Sequence, residues 1–262
     1  MTPSEGLAAL LAQLAVFDLS EAQAALVPIA IVLGYVVYGL TGFGATLASG
    51  VLLAHVFPLK FIVPMHSLLD VSGALLIGRK LSAEADFREV RWLLPFMLIG
   101  MALGLTLLVN LPPRASMLLL GVFVLGYGLL SIFGRTPALG ASRWWGLPLG
   151  LIGGTFSALF GTGGPLYLIY LSRRIEDVKV VRSTVTVLIS VAAFVRVGMF
   201  ALAGLYGSRE IWIVYLIGLP FLAIGIYLGR RLHRWLTPER VRQAIYLLLI
   251  VSGVSLLGRA LS

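Results

Sequence analysis

Cysteine is absent from the 262 residues, which excludes disulfides, thiolate metal sites, iron–sulfur clusters and thiol nucleophiles. Charge is scarce, at 12% Asp, Glu, Lys and Arg against roughly 25% in soluble domains. It also leans one way, with twenty Lys and Arg against eleven Asp and Glu. Only three histidines occur, with no HExxH, P-loop, intramembrane carboxylate pair or aspartate-rich motif. No metal set, cofactor or catalyst is therefore expected, and the chain reads as a non-enzyme. Apolar side chain is what the sequence has in excess, at 59% of residues and a mean hydropathy of +1.00. A soluble sphere of this size cannot hide so much. The expected class is an all-α polytopic membrane protein, a single membrane domain over 1–262. Its basic residues fall between apolar runs, which points to loops facing membrane lipid and not to nucleic acid.

A crossing helix needs about 20 apolar residues, and six stretches supply them: 61–79, 92–110, 115–134, 180–205, 211–229 and 241–258. Ser20 with Gln23 reads as a capping box, Ser208 as a cap, and Thr237-Pro238-Glu239 as a helix start. The first 19 residues lack a basic n-region and a small-residue cleavage site. They read as an interfacial helix or frayed end, not a signal peptide. Residues 21–57 and 144–172 differ, because glycines interrupt each near its middle: Gly42-Phe43-Gly44 and Gly161-Thr162-Gly163-Gly164. Arms of 13–18 residues are short for full crossings. Each segment is either one broken helix or a hairpin that enters and leaves on one side.

The two broken segments align at a spacing of 119 residues through Gly34/Gly153, Leu40/Leu159, Gly42/Gly161, Gly44/Gly163, Leu47/Leu166 and Lys60/Lys179. Further on, Pro95 to Gly104 matches Pro220 to Gly229 at a spacing of 125, with six of ten residues identical. The sequence thus reads as a duplication: repeat 1 about 20–135 and repeat 2 about 143–259, each a hairpin plus three helices. Loop charge chooses the hairpin. With hairpins, fifteen of the twenty basic residues share one side and four the other, with Arg196 left inside a span. Single crossings would divide them eight against eleven, which erases the positive-inside bias. A unit with an odd number of crossings turns its second copy upside down, so inverted repeats with both termini outside the cytoplasm are expected.

Unwound backbone at membrane depth survives where it is buried in protein or lines a polar cavity. Each tip also starts a helix, whose first N–H groups lack partners and carry partial positive charge. Opposed tips predict an anion site from Gly42, Phe43, Gly44, Ala45 and Thr46 with Gly161, Thr162, Gly163, Gly164 and Pro165. Arg196 lies nine residues from its helix end, and is either a further anion ligand or a partner of Asp70. His66 and Asp70 share a helix face and read as a proton-coupling pair or an interhelical hydrogen bond. Ser67, Ser72, Thr184, Thr186 and Ser190 are either oxyanion ligands or interhelical glue.

Gly42-Phe43-Gly44-Ala45 and Gly161-Thr162-Gly163-Gly164-Pro165, followed by Ile62 to Leu69 and Val181 to Leu188, resemble the TauE/SafE sulfite-exporter family of bacterial membrane permeases. The first tip carries Ala45 where the second carries Gly164, and Met65-His66 replaces the family's small Thr-Ser pair. The resemblance covers roughly 25–258. It implies alternating-access secondary transport of a small sulfur-containing anion, such as sulfite, a sulfonate or sulfoacetate, across the bacterial inner membrane. A proton or sodium ion is a candidate coupling partner. An inside-negative potential would assist export by about 2.3 kcal/mol per charge per 100 mV. Two other readings stay open: a non-transporting binding or assembly subunit, and a carrier of another small organic anion or of a cation at Asp70.

Overall fold

A computed structural model describes residues 20–42, 44–81, 84–132, 142–232 and 238–261. The readings of the first 19 residues, of Phe43 and of Thr237 lie outside them. The described residues are helical and contain no strand. The order is α1 (Glu21–Thr41), α2 (Ala45–Leu53), α3 (Leu59–Leu81), α4 (Phe87–Asn110), α5 (Pro113–Ile132), a 3-10 turn (Arg143–Trp145), α6 (Gly146–Phe160), α7 (Gly164–Arg174), α8 (Val178–Leu202), α9 (Arg209–Leu232) and α10 (Pro238–Leu261). Each of the six stretches expected to cross falls on a helix, with α8 ending at Leu202, three residues short of its expected end. Among the described residues, α1, α3, α4, α8 and α9 hold windows long and apolar enough to span a bilayer, while α5 and α10 hold shorter apolar runs. Leu76, Leu103, Val122, Phe194, Leu216 and Leu247 are exposed by more than half, as a lipid-facing surface requires. The chain is an all-α polytopic membrane protein.

The helix ends follow local chemistry. At α1, the Ser20 hydroxyl accepts from the Gln23 N–H while the Ser20 N–H donates to Gln23 Oε1 at 3.1 Å, the capping box read from the sequence. Asp86 and Asp177 cap α4 and α8 by accepting from backbone N–H groups of the first turn. Gly42, Gly44 and Gly161 have φ of 85°, 86° and 74°. A Cβ in that left-handed region costs about 1–2 kcal/mol, so the helices stop at these glycines and turn.

Both broken segments double back on themselves. A Cβ on Gly34 of α1 would lie 2.7 Å from both Ala45 O and Ser49 Oγ of α2. In a continuous helix those fifteen residues between Gly34 and Ser49 would span about 22 Å. Likewise, a Cβ on Gly153 of α6 would strike the Tyr167 ring of α7. At the far end of this second hairpin, Arg143 and Arg174 both reach Glu89, at 3.8 and 3.1 Å. The arms are unequal, which corrects the expected 13–18 residues: α1 has 21, α2 has 9, α6 has 15 and α7 has 11. The α1 arm runs unbroken from the Ser20 cap to Gly42, with Gly34 and Gly39 inside it in close contact with α2 and α9.

The helices pair in a reciprocal pattern. α4 lies against α6, α9 against α1, α3 against α8, and α5 against α10. The repeated sequence block makes the first two contacts. A Cβ on Gly100 would strike Leu151 O, and one on Gly104 would strike Thr155 O. In the second copy of the block, Gly225 meets Val32 O at 2.7 Å and Gly229 meets Val36 O. Leu151 and Thr155 stand 119 residues after Val32 and Val36, and Gly225 and Gly229 stand 125 after Gly100 and Gly104. Helices without side chains at the crossing bring their backbones together, and dispersion then holds the pair where hydrophobic drive is weak.

These crossings have no spare volume, while Gly126 and Gly198 would meet nothing within 4 Å. Gly100→Ala and Gly225→Ala should each lower the melting temperature in detergent by an overpacking cost of about 1–3 kcal/mol, whereas Gly198→Ala should leave it unchanged. Thermal unfolding of the purified variants checks the contrast.

Candidate substrate site at the hairpin tips

The two glycine tips meet. A Cβ on Gly161 would strike the side chain of Thr46, so the end of α6 lies against the start of α2. Around this contact lies a small cavity of about 20 Å³, room for about one water molecule. The first tip contributes Gly44, Ala45 and Thr46, and the second contributes Gly161, Thr162, Gly163 and Gly164. Tyr38, Asp70, Ser157, Ile189 and Arg196 complete the lining. Helix N-termini of α2 and α7 both border the space, with the N–H groups that a helix cannot satisfy internally.

Two of the expected residues stand elsewhere. Gly42 does not line the cavity; a Cβ there would come within 2.9 Å of Thr186 Oγ1 and 3.7 Å of Arg182 Nε. Pro165 occupies the first turn of α7, where a residue without an N–H suits the helix but offers an anion no donor.

Arg196 was open between two roles, and its geometry joins them. It is 2% exposed and lines the cavity, while its Nη2 donates to Asp70 Oδ2 at 2.8 Å. Its Nη1 donates to Ser157 O at 2.9 Å and to Ser157 Oγ at 3.3 Å. Its Nε is buried without an acceptor. Asp70 is also held by the Tyr35 hydroxyl, which donates to Oδ1 at 2.9 Å, and by the Thr46 hydroxyl, which donates to Oδ2 at 3.1 Å. The ion pair leaves the site with no net charge, with hydroxyl donors on its carboxylate side and Ser157 as acceptor on its guanidinium side.

His66 is 0% exposed and turns away from Asp70. Its Nε2 lies 2.6 Å from Ser49 Oγ and its Nδ1 lies 3.2 Å from Ile62 O. Of the hydroxyls after each hairpin, three join different elements and two bond within their own helix. Ser67 meets the Tyr206 hydroxyl at 2.7 Å and Ser72 meets that of Tyr215 at 3.0 Å. Thr184 accepts from the Asp86 N–H, and Thr186 and Ser190 donate to carbonyls one turn back. None of the five lines the cavity. The sequence reading missed Tyr38 and Ser157, which lie one turn before Gly42 and Gly161 and stand 119 residues apart. The repeat spacing and the helical period together carried that signal.

Removing one partner of a buried ion pair strands the other. Asp70→Asn and Arg196→Ala should each cost about 3–5 kcal/mol, and an Asp70→Leu/Arg196→Met double variant should recover most of it. Thermal unfolding of the three variants in detergent reads this directly.

Residues 26–256 match the TauE/SafE sulfite exporter family. The chain is also 33% identical over 195 residues to a probable inner membrane transporter protein, TsaS, of Comamonas testosteroni, covering 72% of this chain and 80% of that protein. No solved structure matches. With its family matched over nearly all the helical bundle, the chain belongs to the TauE/SafE sulfite exporter family.

Proposed function

We propose that the protein is a secondary transporter of a small sulfur-containing oxyanion, such as sulfite, a sulfonate or sulfoacetate, in a bacterial inner membrane. The observation that carries the reading is the cavity where both glycine tips, two helix N-termini and the buried Arg196 converge. Such a lining offers an oxyanion its guanidinium, the hydroxyls of Thr46 and Thr162, and backbone N–H groups. The family and the TsaS relative are both described as transport proteins.

In this reading the hairpins are re-entrant, the two halves are inverted repeats, and each hairpin rocks about the bound anion together with the helix packed against it. Three observations support it. The glycine contacts are related by the sequence offsets of the repeat. Both ends of the second hairpin meet at Glu89. Residues assigned to the sparsely charged side also touch one another, with Lys60 donating to Val109 O and Arg259 to His55 O. The basic side then faces the cytoplasm and both termini face away from it, with export as the working direction.

The direct assay is uptake of labelled sulfite or sulfonate by inverted membrane vesicles. Thr46→Val and Thr162→Val should each slow uptake about tenfold, the worth of one hydrogen bond to a charged group, without loss of membrane insertion. Uptake equal to wild type in both variants would remove the tips from the site. Absence of uptake, with no anion raising the melting temperature, would favour a non-transporting subunit.

A further inference from the structure

Two of the donors that an incoming anion needs are already occupied by an anion belonging to the protein. Asp70 Oδ2 accepts from Arg196 Nη2 and from the Thr46 hydroxyl, and Oδ1 accepts from the Tyr35 hydroxyl. Both Arg196 and Thr46 line the cavity. Only Nε of the guanidinium is left without an acceptor. A sulfonate therefore competes with the Asp70 carboxylate for the same two groups.

Charge makes that competition severe. Asp70 is 6% exposed and Arg196 is 2% exposed, so a second anion beside an ionised Asp70 would leave an uncompensated negative charge out of water. Resting on the anion-transport reading, we propose that Asp70 is the internal substitute for the transported anion, and that each anion binds together with one proton taken up by the Asp70 carboxylate. The proton comes from bulk water and forms an O–H bond on Asp70. The Arg196 guanidinium and the Thr46 hydroxyl then turn to the substrate, while the Tyr35 hydroxyl still donates to the remaining carboxyl oxygen. Arg196 and the substrate cancel, so the loaded site is neutral. When the anion leaves, the proton leaves, and the ion pair closes again. Loaded and empty sites then carry the same charge, so membrane potential does no work on the step, and export runs down the anion gradient against any inward proton gradient.

Other titratable groups surround the pair. His66 lies one turn away on α3, Tyr35 and Tyr38 face it from α1, Tyr167 from α7, and Tyr206 from the turn before α9. Of these, histidine alone titrates unaided near neutrality. Its ring nitrogens are engaged with Ser49 and Ile62 and not with the cavity, so it serves as the control.

Calorimetric titration of purified wild-type protein with methanesulfonate, which stays ionised throughout, in buffers of different ionisation heat at pH 6, 7 and 8 counts protons bound per anion. Uptake should approach one proton at pH 8, and affinity should weaken by up to about tenfold per pH unit. Asp70→Asn should abolish both effects and bind at pH 8 at least as tightly as wild type does at pH 6. His66→Gln should keep both. Binding with no proton uptake and no pH dependence would overturn the coupling and leave the anion site standing. Loss of proton uptake in His66→Gln, with Asp70→Asn unchanged, would move the proton to His66 and overturn it equally. If neither methanesulfonate nor sulfite binds wild type at any of the three pH values, the anion reading fails and the coupling fails with it.

Discussion

A guanidinium and a carboxylate in the middle of an apolar bundle decide how its parts meet. Neither Arg196 nor Asp70 reaches solvent in any useful degree, so each has to be satisfied from within. That demand draws α8 to α3 through the ion pair, α6 through Ser157, α1 through Tyr35 and α2 through Thr46. Five helices from both halves are thereby tied to one point. The hairpin tips open at the same point, because Thr46 is both an Asp70 ligand and the residue against which Gly161 packs. The interior polarity, the tip contact and the cavity are one arrangement.

Around this centre the bundle is held by close approach and not by charge. Gly100, Gly104 and Gly154 at the α4–α6 crossing, with Gly39, Gly225 and Gly229 at the α1–α9 crossing, leave backbone facing backbone. Helices in lipid gain little from excluding water, so tight packing has to supply the affinity. The division of labour follows. Long helices with glycine at the crossings form the rigid frame, and Gly42, Gly44 and Gly161 at positive φ form the places where the two broken segments turn.

Much of this was legible in the sequence because the signals are periodic or punctuating. Gly42, Gly44 and Gly161 mark the breaks, the repeated block from Pro95 and Pro220 carries the packing glycines, and Ser20 with Gln23 marks the first cap. What stayed hidden is direction. Thr186 and Ser190 could equally face a cavity, but a hydroxyl in an apolar helix satisfies itself on the carbonyl one turn back. His66 and Asp70 share a face by spacing, yet Ser49 captures the His66 ring, a contact set by the hairpin turning back on α3. The break at Gly42 was placed correctly, but the arm leading to it runs the full 21 residues from the Ser20 cap, longer than the 13–18 expected. Arg196 was recognised as buried and polar; its carboxylate partner could be named from the sequence, while the unpartnered Nε could not.

If the hairpins rock as an alternating-access transporter requires, the moving bodies are not the two sequence halves. α4 belongs to the first half, but its backbone is locked to α6 at Gly100 and Gly104. Its Glu89 holds the other arm of the same hairpin, through the Tyr170 hydroxyl at 2.6 Å and Arg174 at 3.1 Å. Arg143, stacked 4.7 Å from the Trp92 ring, closes the base. α9 of the second half is locked in the same way to α1 at Gly225 and Gly229. Each hairpin therefore travels with a helix from the opposite half, because separating them would part backbones in direct contact. The softest boundary left runs through the centre, where Thr46 faces Gly161 and Asp70 faces Arg196 across the cavity. An anion that takes Arg196 from Asp70 would loosen that boundary, because Asp70 holds the first hairpin through Tyr35 and Thr46 while Arg196 holds the second through Ser157.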